Sequence, residues 1–391
     1  MRLMHLADLH IGKRLNEFSL YEDQEYILKQ IIDIAEQEKP DIAIISGDVY
    51  DKAQPAARAV EILSDFLSSL VKRNIKVLLI AGNHDSPERI AYGKEIFSKL
   101  NLNVAGKLEG LPEVVTIKDE YGPVNFVLLP FFRLHELKTL FPEDIGKLDS
   151  YTEATKLLLA KLNLPKDERK VLISHQFYAG IDPVLLAESE RDIVGGLDAI
   201  DVKILSDYTY GALGHIHRPQ KLTQENIRYA GSPLAYSYSE INQNKSVPIV
   251  DLDERLHDCE INLVKLKPLR EVREITGDFY EILEEARTVD SARRQDYLKI
   301  VLTNQERIIN PMRRLQAYYP NIVQLEFLRN QEFTQEARDK IKQNIKDKNF
   351  IELVADFYQK QSAKPWSKKD QERLQSLWNE LNLKLEEEQR G

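Results

Sequence analysis

Short apolar, β-branched runs alternate with amphipathic segments along the first hundred residues. Residues 2–6, 41–46 and 76–81 read as strands, too short and too uniformly apolar for surface helices. Between them, residues 22–38 place Tyr26, Ile27, Ile31, Ile34 and Ala35 at helical spacing, and Pro40 stops the helix. Residues 56–73 form a second amphipathic helix carrying Val60, Leu63, Leu67, Leu70 and Val71, and a third runs from about Pro87 to Leu100. Strands alternating with helices predict an α/β fold with parallel pairing. Two β-rich runs over 113–130 flank the turn signal Tyr121-Gly122-Pro123, and a helix over 151–162 precedes a strand at 170–173. Beyond residue 210 the chain turns to strands at 210–213, 227–230, 247–252 and 260–266. Two sheets flanked by helices follow, a four-layer α-β-β-α sandwich.

A boundary is expected near 268–277. After it come a helix (279–287), a strand (297–302), a helix (308–318) and a strand (322–327), a small α/β unit. From Thr334 the sequence is charged and helical, with a break around Lys364-Pro365. A final helix over 368–388 aligns Leu374, Leu377, Trp378, Leu381 and Leu385 on one stripe, which needs a packing partner. The expected organisation is 1–270, 275–332 and 333–391, and a chain of 391 residues accommodates two domains with an extension.

The predicted strand ends carry the chemistry. After them come Asp8-Leu9-His10, Gly47-Asp48, Gly82-Asn83-His84-Asp85, Ser174-His175 and Gly214-His215-Ile216-His217. In open α/β folds such ends meet on one sheet edge, where ligands bind. Asp-Leu-His alone is an ordinary strand-to-loop turn, and a lone Asp48 could equally satisfy loop amides. Together they would gather carboxylates, an amide oxygen and imidazoles within a few ångströms, which calls for cations. A mixed nitrogen and oxygen set without thiolate suits manganese, iron or zinc better than calcium or magnesium alone. Two cations roughly 3.5–4 Å apart would clamp a phosphate and acidify water, the arrangement of a two-metal phosphoesterase. Asp48 has two oxygens with which to bridge them. His84 is the natural proton donor to the leaving oxygen, and Asp85 could either orient it or cap its loop. His5 reads as a core residue or a support for a ligand, and His135 and His257 as surface residues.

Composition sharpens this in a few respects. The 42% apolar content supports a substantial core, and no apolar run approaches the ~20 residues of a membrane span. A cleaved N-terminal signal is not expected, because Asp8 and His10 would leave with it. The single cysteine, Cys259, rules out an intrachain disulfide and a Cys-rich zinc site, and it suits a reducing cytoplasm. The net charge of −9 arises within residues 1–280, where 34 basic residues face 44 acidic ones. Bound cations would offset part of that, so overall charge neither supports nor excludes DNA as a partner.

The segments around the strand ends are more specific than the ligands. His5-Leu6-Ala7-Asp8-Leu9-His10-Ile11-Gly12, Gly47-Asp48-Val49-Tyr50-Asp51 and Ala81-Gly82-Asn83-His84-Asp85-Ser86 resemble the calcineurin-like metallophosphoesterase superfamily. These segments, with Ser189-Glu190-Arg191 and Gly195-Gly196, Ala212-Leu213-Gly214-His215-Ile216-His217-Arg218-Pro219-Gln220 and Tyr229-Ala230-Gly231-Ser232-Pro233-Leu234, are also more specific than the signature of that superfamily. Within it, residues 1–235 are similar to the SbcD-type bacterial double-strand-break repair nucleases. That resemblance implies one metal on Asp8, His10, Asp48 and His217, and a second on Asp48, Asn83, His175 and His215. It further implies Mn2+ as cofactor, and a 275–332 capping domain that helps hold DNA. An SbcC-type ATPase is the implied partner of the C-terminal helices, and helices within 56–100 are candidates for a homodimer interface. ATP-dependent 3′-to-5′ double-strand exonuclease and hairpin endonuclease activity in DNA repair, recombination and replication is the implied function. Archaeal relatives often carry His where this chain has Asp51, whereas SbcD-type chains usually carry Asp. A phosphoprotein phosphatase is the rival within the same fold, but that group has Arg-Gly after its second Asp motif, and here Asp51 precedes Lys52-Ala53. A non-catalytic scaffold is a third reading, opposed by the complete ligand set.

Overall fold

The computed structural model describes residues 1–180, 184–186, 199–304, 306, 308–328, 354 and 371–378. The Arg2–Leu6 strand lies inside a six-stranded sheet. Ile42–Ser46, Lys76–Ile80 and Leu102–Ala105 follow it outward in parallel. Ser246–Asp251 and Glu260–Lys265 run antiparallel on its other side. A second six-stranded sheet has the order Gln220–Lys221, Ile227–Tyr229, Tyr210–Leu213, Arg169–Ser174, Gly122–Leu129 and Glu113–Asp119. It is parallel through its middle and antiparallel at both edges.

The period-two alternation of side chains sorts the core into layers. Leu3, Ile44, Leu78 and Ile80 meet Phe126, Leu128, Ile173 and Ala212 between the sheets. On the outer face of the first sheet, Met4, Leu6, Ile45 and Leu79 pack against Ile27 and Ile31 of the Tyr21–Glu38 helix and Leu63 and Phe66 of Ala57–Val71. On the second, Val127, Leu129 and Leu172 pack against Ala154 and Leu158 of Tyr151–Lys161. The central strands are therefore covered on both faces, which is why their sequences read as unbroken apolar runs. The α-β-β-α sandwich is present as the patterning predicts.

Three element readings are corrected. The single helix expected over 87–100 is two short ones, Pro87–Ile90 and Lys94–Ser98, because Gly93 adopts φ 73° and turns the chain between them. The helix expected over 308–318 is confined to Pro311–Gln316, entered through Asn310 at φ 48°. The stretch read as a boundary contains the Val272–Gly277 strand, which pairs in parallel with Tyr297–Leu302, itself parallel to Ile322–Phe327. This three-stranded sheet has its own core of Phe279, Ile282, Ala286, Leu298, Ile300 and Leu315. It is tied to the sandwich where the Tyr297 hydroxyl donates to Asp23 Oδ2 at 2.8 Å and Arg270 Nη1 donates to the same oxygen at 2.8 Å.

Met1–Phe327 forms one compact unit and Leu328–Gly391 a second. In the second, residues 371–378 are helical and Leu377 is exposed. Residues 189–191, 195–196, Lys364-Pro365, Leu381 and Leu385 lie outside the described residues. Among the described residues, no helix is long and apolar enough to cross a membrane.

Candidate metal centre

The parallel strands of both sheets end on one edge, and the side chains singled out by the sequence converge there. The first two loops are stitched together: Asp8 N donates to Gly47 O at 3.1 Å and His10 N to Asp48 O at 2.9 Å. The turns are tight enough that Asp8, His10, Asp48 and His215 all have positive φ, at 53°, 43°, 49° and 91°. Such conformations cost of order 1–3 kcal/mol each in non-glycine residues and cluster at functional sites. Gly47 takes φ 89°, and a Cβ on it would lie 2.4 Å from His175 Nδ1.

Asp8, His10, Asp48, His175, His215 and His217 are buried, and Asn83 and His84 are partly exposed. Asp8 Oδ1 accepts from His215 N at 2.9 Å, and Asp48 Oδ1 accepts from His84 N at 2.8 Å. The remaining carboxylate surface faces imidazole nitrogens. Asp48 Oδ2 lies 3.2 Å from His175 Nε2 and 3.6 Å from His10 Nε2, so one carboxylate touches both expected ligand sets. His10 Nε2 and His217 Nε2 approach to 3.1 Å, and Asn83 Oδ1 sits 3.2 Å from His175 Nε2 and 2.9 Å from His215 Nδ1. Asp8-His10-His217, His10-Asp48-His84 and Asp8-Asp48-His175 are each close enough to share an ion.

Tautomers follow from the outer partners. His175 Nδ1 can only donate to the Ser46 carbonyl at 2.6 Å, which turns Nε2 toward Asp48, Asn83 and Asp8. All three present acceptor oxygens, so without a cation the ring must carry a second proton. Burial opposes that charge, yet the Asp48 and Asp8 carboxylates outweigh it and raise the His175 pKa to about 9. Asp8 is pushed up to about 6 by burial and by its neighbour Asp48, against the pull of His175 and His217. Burial alone would also raise Asp48, but the surrounding imidazoles hold it well below the usual range. Burial depresses His215 to about 3 and keeps His10 well below an ordinary histidine. Buried His10 Nδ1 and His215 Nε2 make no hydrogen bond. A cluster that needs positive charge, lacks thiolate and leaves imidazole nitrogens unpartnered fits divalent cations.

His84 is oriented by backbone. Its Nδ1 donates to the Asp51 carbonyl at 3.0 Å, and its ring meets His10 edge-on at 4.8 Å. Asp85 does not orient it. The Asp85 carboxylate instead accepts from Gly82 N, Val49 N and Tyr50 N at 2.9–3.1 Å, and so caps two loops at once. Asp51 pairs with Lys13 at 2.8 Å. His5 lies in the core between Tyr210 Oη (2.8 Å) and Ser46 Oγ (3.1 Å), and His135 and His257 are at the surface.

Sequence reading missed the supports behind His10 and His217. Gln24 Nε2 donates to His10 O at 2.7 Å while its Oε1 accepts from Gly12 N at 2.9 Å. Tyr236 packs edge-on against both rings at 5.6 and 5.9 Å. Glu240 Oε1 accepts from His217 Nδ1 at 3.1 Å, and Lys245 Nζ lies 2.7 Å from Glu240 Oε2. Gln24 could have been suspected from its polar place on the apolar stripe of its helix. Glu240 and Lys245 sit in an ordinary polar stretch without such a signal.

Residues 1–219 match the family model described as calcineurin-like phosphoesterase. Residues 266–362 match the model described as type 5 capsule protein repressor C-terminal domain. The chain is 34% identical over 329 residues to the SbcD component of the SbcCD nuclease of Staphylococcus epidermidis, covering 83% of this chain and 85% of that protein. It is 32% identical over 330 residues to the corresponding SbcCD nuclease component of Staphylococcus saprophyticus, covering 83% and 84%.

Proposed function

We propose a two-cation DNA nuclease, from the premise that this chain belongs to the calcineurin-like phosphoesterase family and, within it, to the SbcD components of SbcCD nucleases. Asp8, His10, Asp48 and His217 would hold one cation, and Asp48, Asn83, His175 and His215 the other, with Mn2+ as the working ion. The observation that carries this is the convergence of these side chains on Asp48, with acceptors crowded around His175 Nε2. Divalent ions held there supply Lewis-acid stabilisation of a phosphodiester and acidify water.

The chain's own groups do the rest. Ser46 O fixes the tautomer of His175 and leaves Nε2 facing the ligand set. Asp85, by holding the amides of Val49, Tyr50 and Gly82, keeps the Asp48 and Asn83 loops in register. His84 keeps Nδ1–H committed to Asp51 O and, in its imidazolium form, gives the second proton from Nε2 to the departing sugar oxygen.

The small three-stranded unit serves as the capping domain, roughly 275–332, and residues 333–391 dock an SbcC-type ATPase that couples ATP to DNA access. Homodimerisation uses the helices within 56–100. An apolar groove of about 460 Å³ opens there among Leu63, Leu67, Val71, Ile90 and Phe97, flanked by the exposed side chains of Tyr92, Ile96 and Leu100. The work is DNA repair, recombination and replication, by exonucleolytic 3′-to-5′ and hairpin-opening cleavage in the cytoplasm at the nucleoid.

Incubation with Mn2+ and a hairpin-ended duplex, beside a phosphopeptide control, tests the reading. Cleavage of the duplex with the phosphopeptide left intact is expected. Preference for the phosphopeptide would sink it.

A further inference from the structure

Among the described residues, Glu240 is the most deeply buried carboxylate outside the expected ligand set, at 1% exposure, and it touches that set directly. Its two oxygens are divided. Oε1 takes the His217 Nδ1 proton at 3.1 Å and the Ser237 hydroxyl at 3.2 Å; Oε2 takes Lys245 Nζ at 2.7 Å, with the Ser232 hydroxyl, which donates to Leu234 O at 2.8 Å, lying 3.3 Å away. Lys245 is itself fixed, because the three N–H of Nζ are shared between Glu240 and three further acceptors, His217 O at 2.8 Å, Ser232 Oγ at 2.8 Å and Gln243 Oε1 at 3.0 Å. Side chain and backbone of His217 are thus gripped by the two ends of one ion pair. The far side of the pair lines a cleft of about 710 Å³ that also borders Arg270, Val272 and Arg273.

Buried ion pairs are poor sources of stability, since desolvation of both charges offsets their attraction. Packing alone therefore does not account for this one. A carboxylate on the outer nitrogen of an imidazole, by contrast, fixes the tautomer and ring orientation and raises the basicity of the inner nitrogen. We propose that Glu240, anchored by Lys245, is the positioning residue for His217, aiming Nε2 at the cation that His217 shares with His10. The inference rests on the two-cation reading above and adds to it a group from outside the ligand set. Ser46 O is the counterpart on the other side, where a backbone carbonyl does for His175 what a side-chain pair does for His217.

The test is Mn2+ binding to the purified full-length chain without DNA, followed by electron paramagnetic resonance of the free ion, with thermal melting in parallel. Glu240→Gln strands Lys245 in the core, so Glu240→Gln/Lys245→Met is measured beside it to remove both charges together. In the double variant, one of two Mn2+ sites should weaken by roughly 10–100-fold while the other is unchanged. Glu240→Asp should recover part of the loss. Equal weakening of both sites, or unchanged affinity at both whatever the melting temperature, overturns the proposal. His217→Ala separates the two levels. If it leaves both Mn2+ sites intact, the two-cation reading itself has failed; if it removes one while the double variant does not, only the role of Glu240 falls.

Discussion

His175 and His217 both approach Asp8, yet they are held by different kinds of structure. His175 follows its strand directly, and its Nδ1 is fixed at 2.6 Å by the carbonyl of Ser46, the last residue of a strand in the opposite sheet. The bond is made by the sandwich itself, through the backbone carbonyl and not the side chain of Ser46. His217 lies beyond its strand end, and its Nδ1 is fixed by the carboxylate of Glu240 from a 3-10 turn. One half of the centre is therefore guaranteed by backbone, whereas the other depends on particular side chains. The first needs no particular side chain at position 46 as hydrogen-bond partner but leaves no room for a Cβ at Gly47 or Gly214, and the second offers points at which the site can be tuned.

His84 belongs to neither half, and its replacement is the sharpest check on their separateness. His84→Ala should lower DNA cleavage by about 10²–10⁴-fold, the usual contribution of a positioned general acid. Mn2+ affinity at both sites should stay as it was, because the ring is fixed by Asp51 O and not by a ligand. A variant that degrades DNA at near the original rate would show that the proton comes from elsewhere. One that loses a cation would make His84 a ligand, consistent with its nearness to His10 and Asp48.

The same division explains what could be read from the chain. The residues 2–6, 210–213 and 297–302 are strands with the very bounds their apolar runs suggest, because burial on both faces leaves little room for polar residues. Strand ends and the loops directly after them then place Asp8, His10, Asp48, Asn83, His175, His215 and His217, so the expected ligands of both halves are legible. The Val272–Gly277 strand is not, since its alternation of half-buried and exposed residues includes Arg273 and Glu274 and gives no apolar run. Glu240 has no local signature at all. Its meaning arises only when a turn more than twenty residues along the chain folds back onto His217. Contacts of that kind are decided by tertiary packing, which periodicity does not encode.

A smaller effect probes the backbone-held half alone. Gly214 packs against Ser46 and His175, and a Cβ on it would lie 2.1 Å from Ser46 O and 2.8 Å from His175 Nδ1. Gly214→Ala must therefore push apart the hydrogen bond that orients His175. Overpacking of this kind costs about 1–3 kcal/mol, which a fall in melting temperature would register. Mn2+ titration should show the Asn83-His175-His215 site weakened more than the Asp8-His10-His217 site. Equal loss at both would mean that the two halves respond as one rigid body.

The smallest expected effect falls on the half held by side chains. The Tyr236 hydroxyl donates to Leu9 O in a short contact and its ring lies against both His10 and His217. Tyr236→Phe keeps the ring and removes the hydroxyl, leaving Leu9 O to the long approach of Gln24 Nε2 at 3.5 Å. The loss should be about 1 kcal/mol of stability, the usual net worth of one hydrogen bond, measurable by urea denaturation of the metal-free chain. Mn2+ affinity at the His10-His217 site should change little, because Glu240 still holds the imidazole and Gln24 still holds His10 O. That outcome distinguishes general support from aim: a hydroxyl that steadies the loop affects folding, whereas the carboxylate that points the ring affects the ion. A loss of Mn2+ affinity as large as that of the Glu240 double variant would instead show that aim is shared across the whole network, and that no single group on this half sets it.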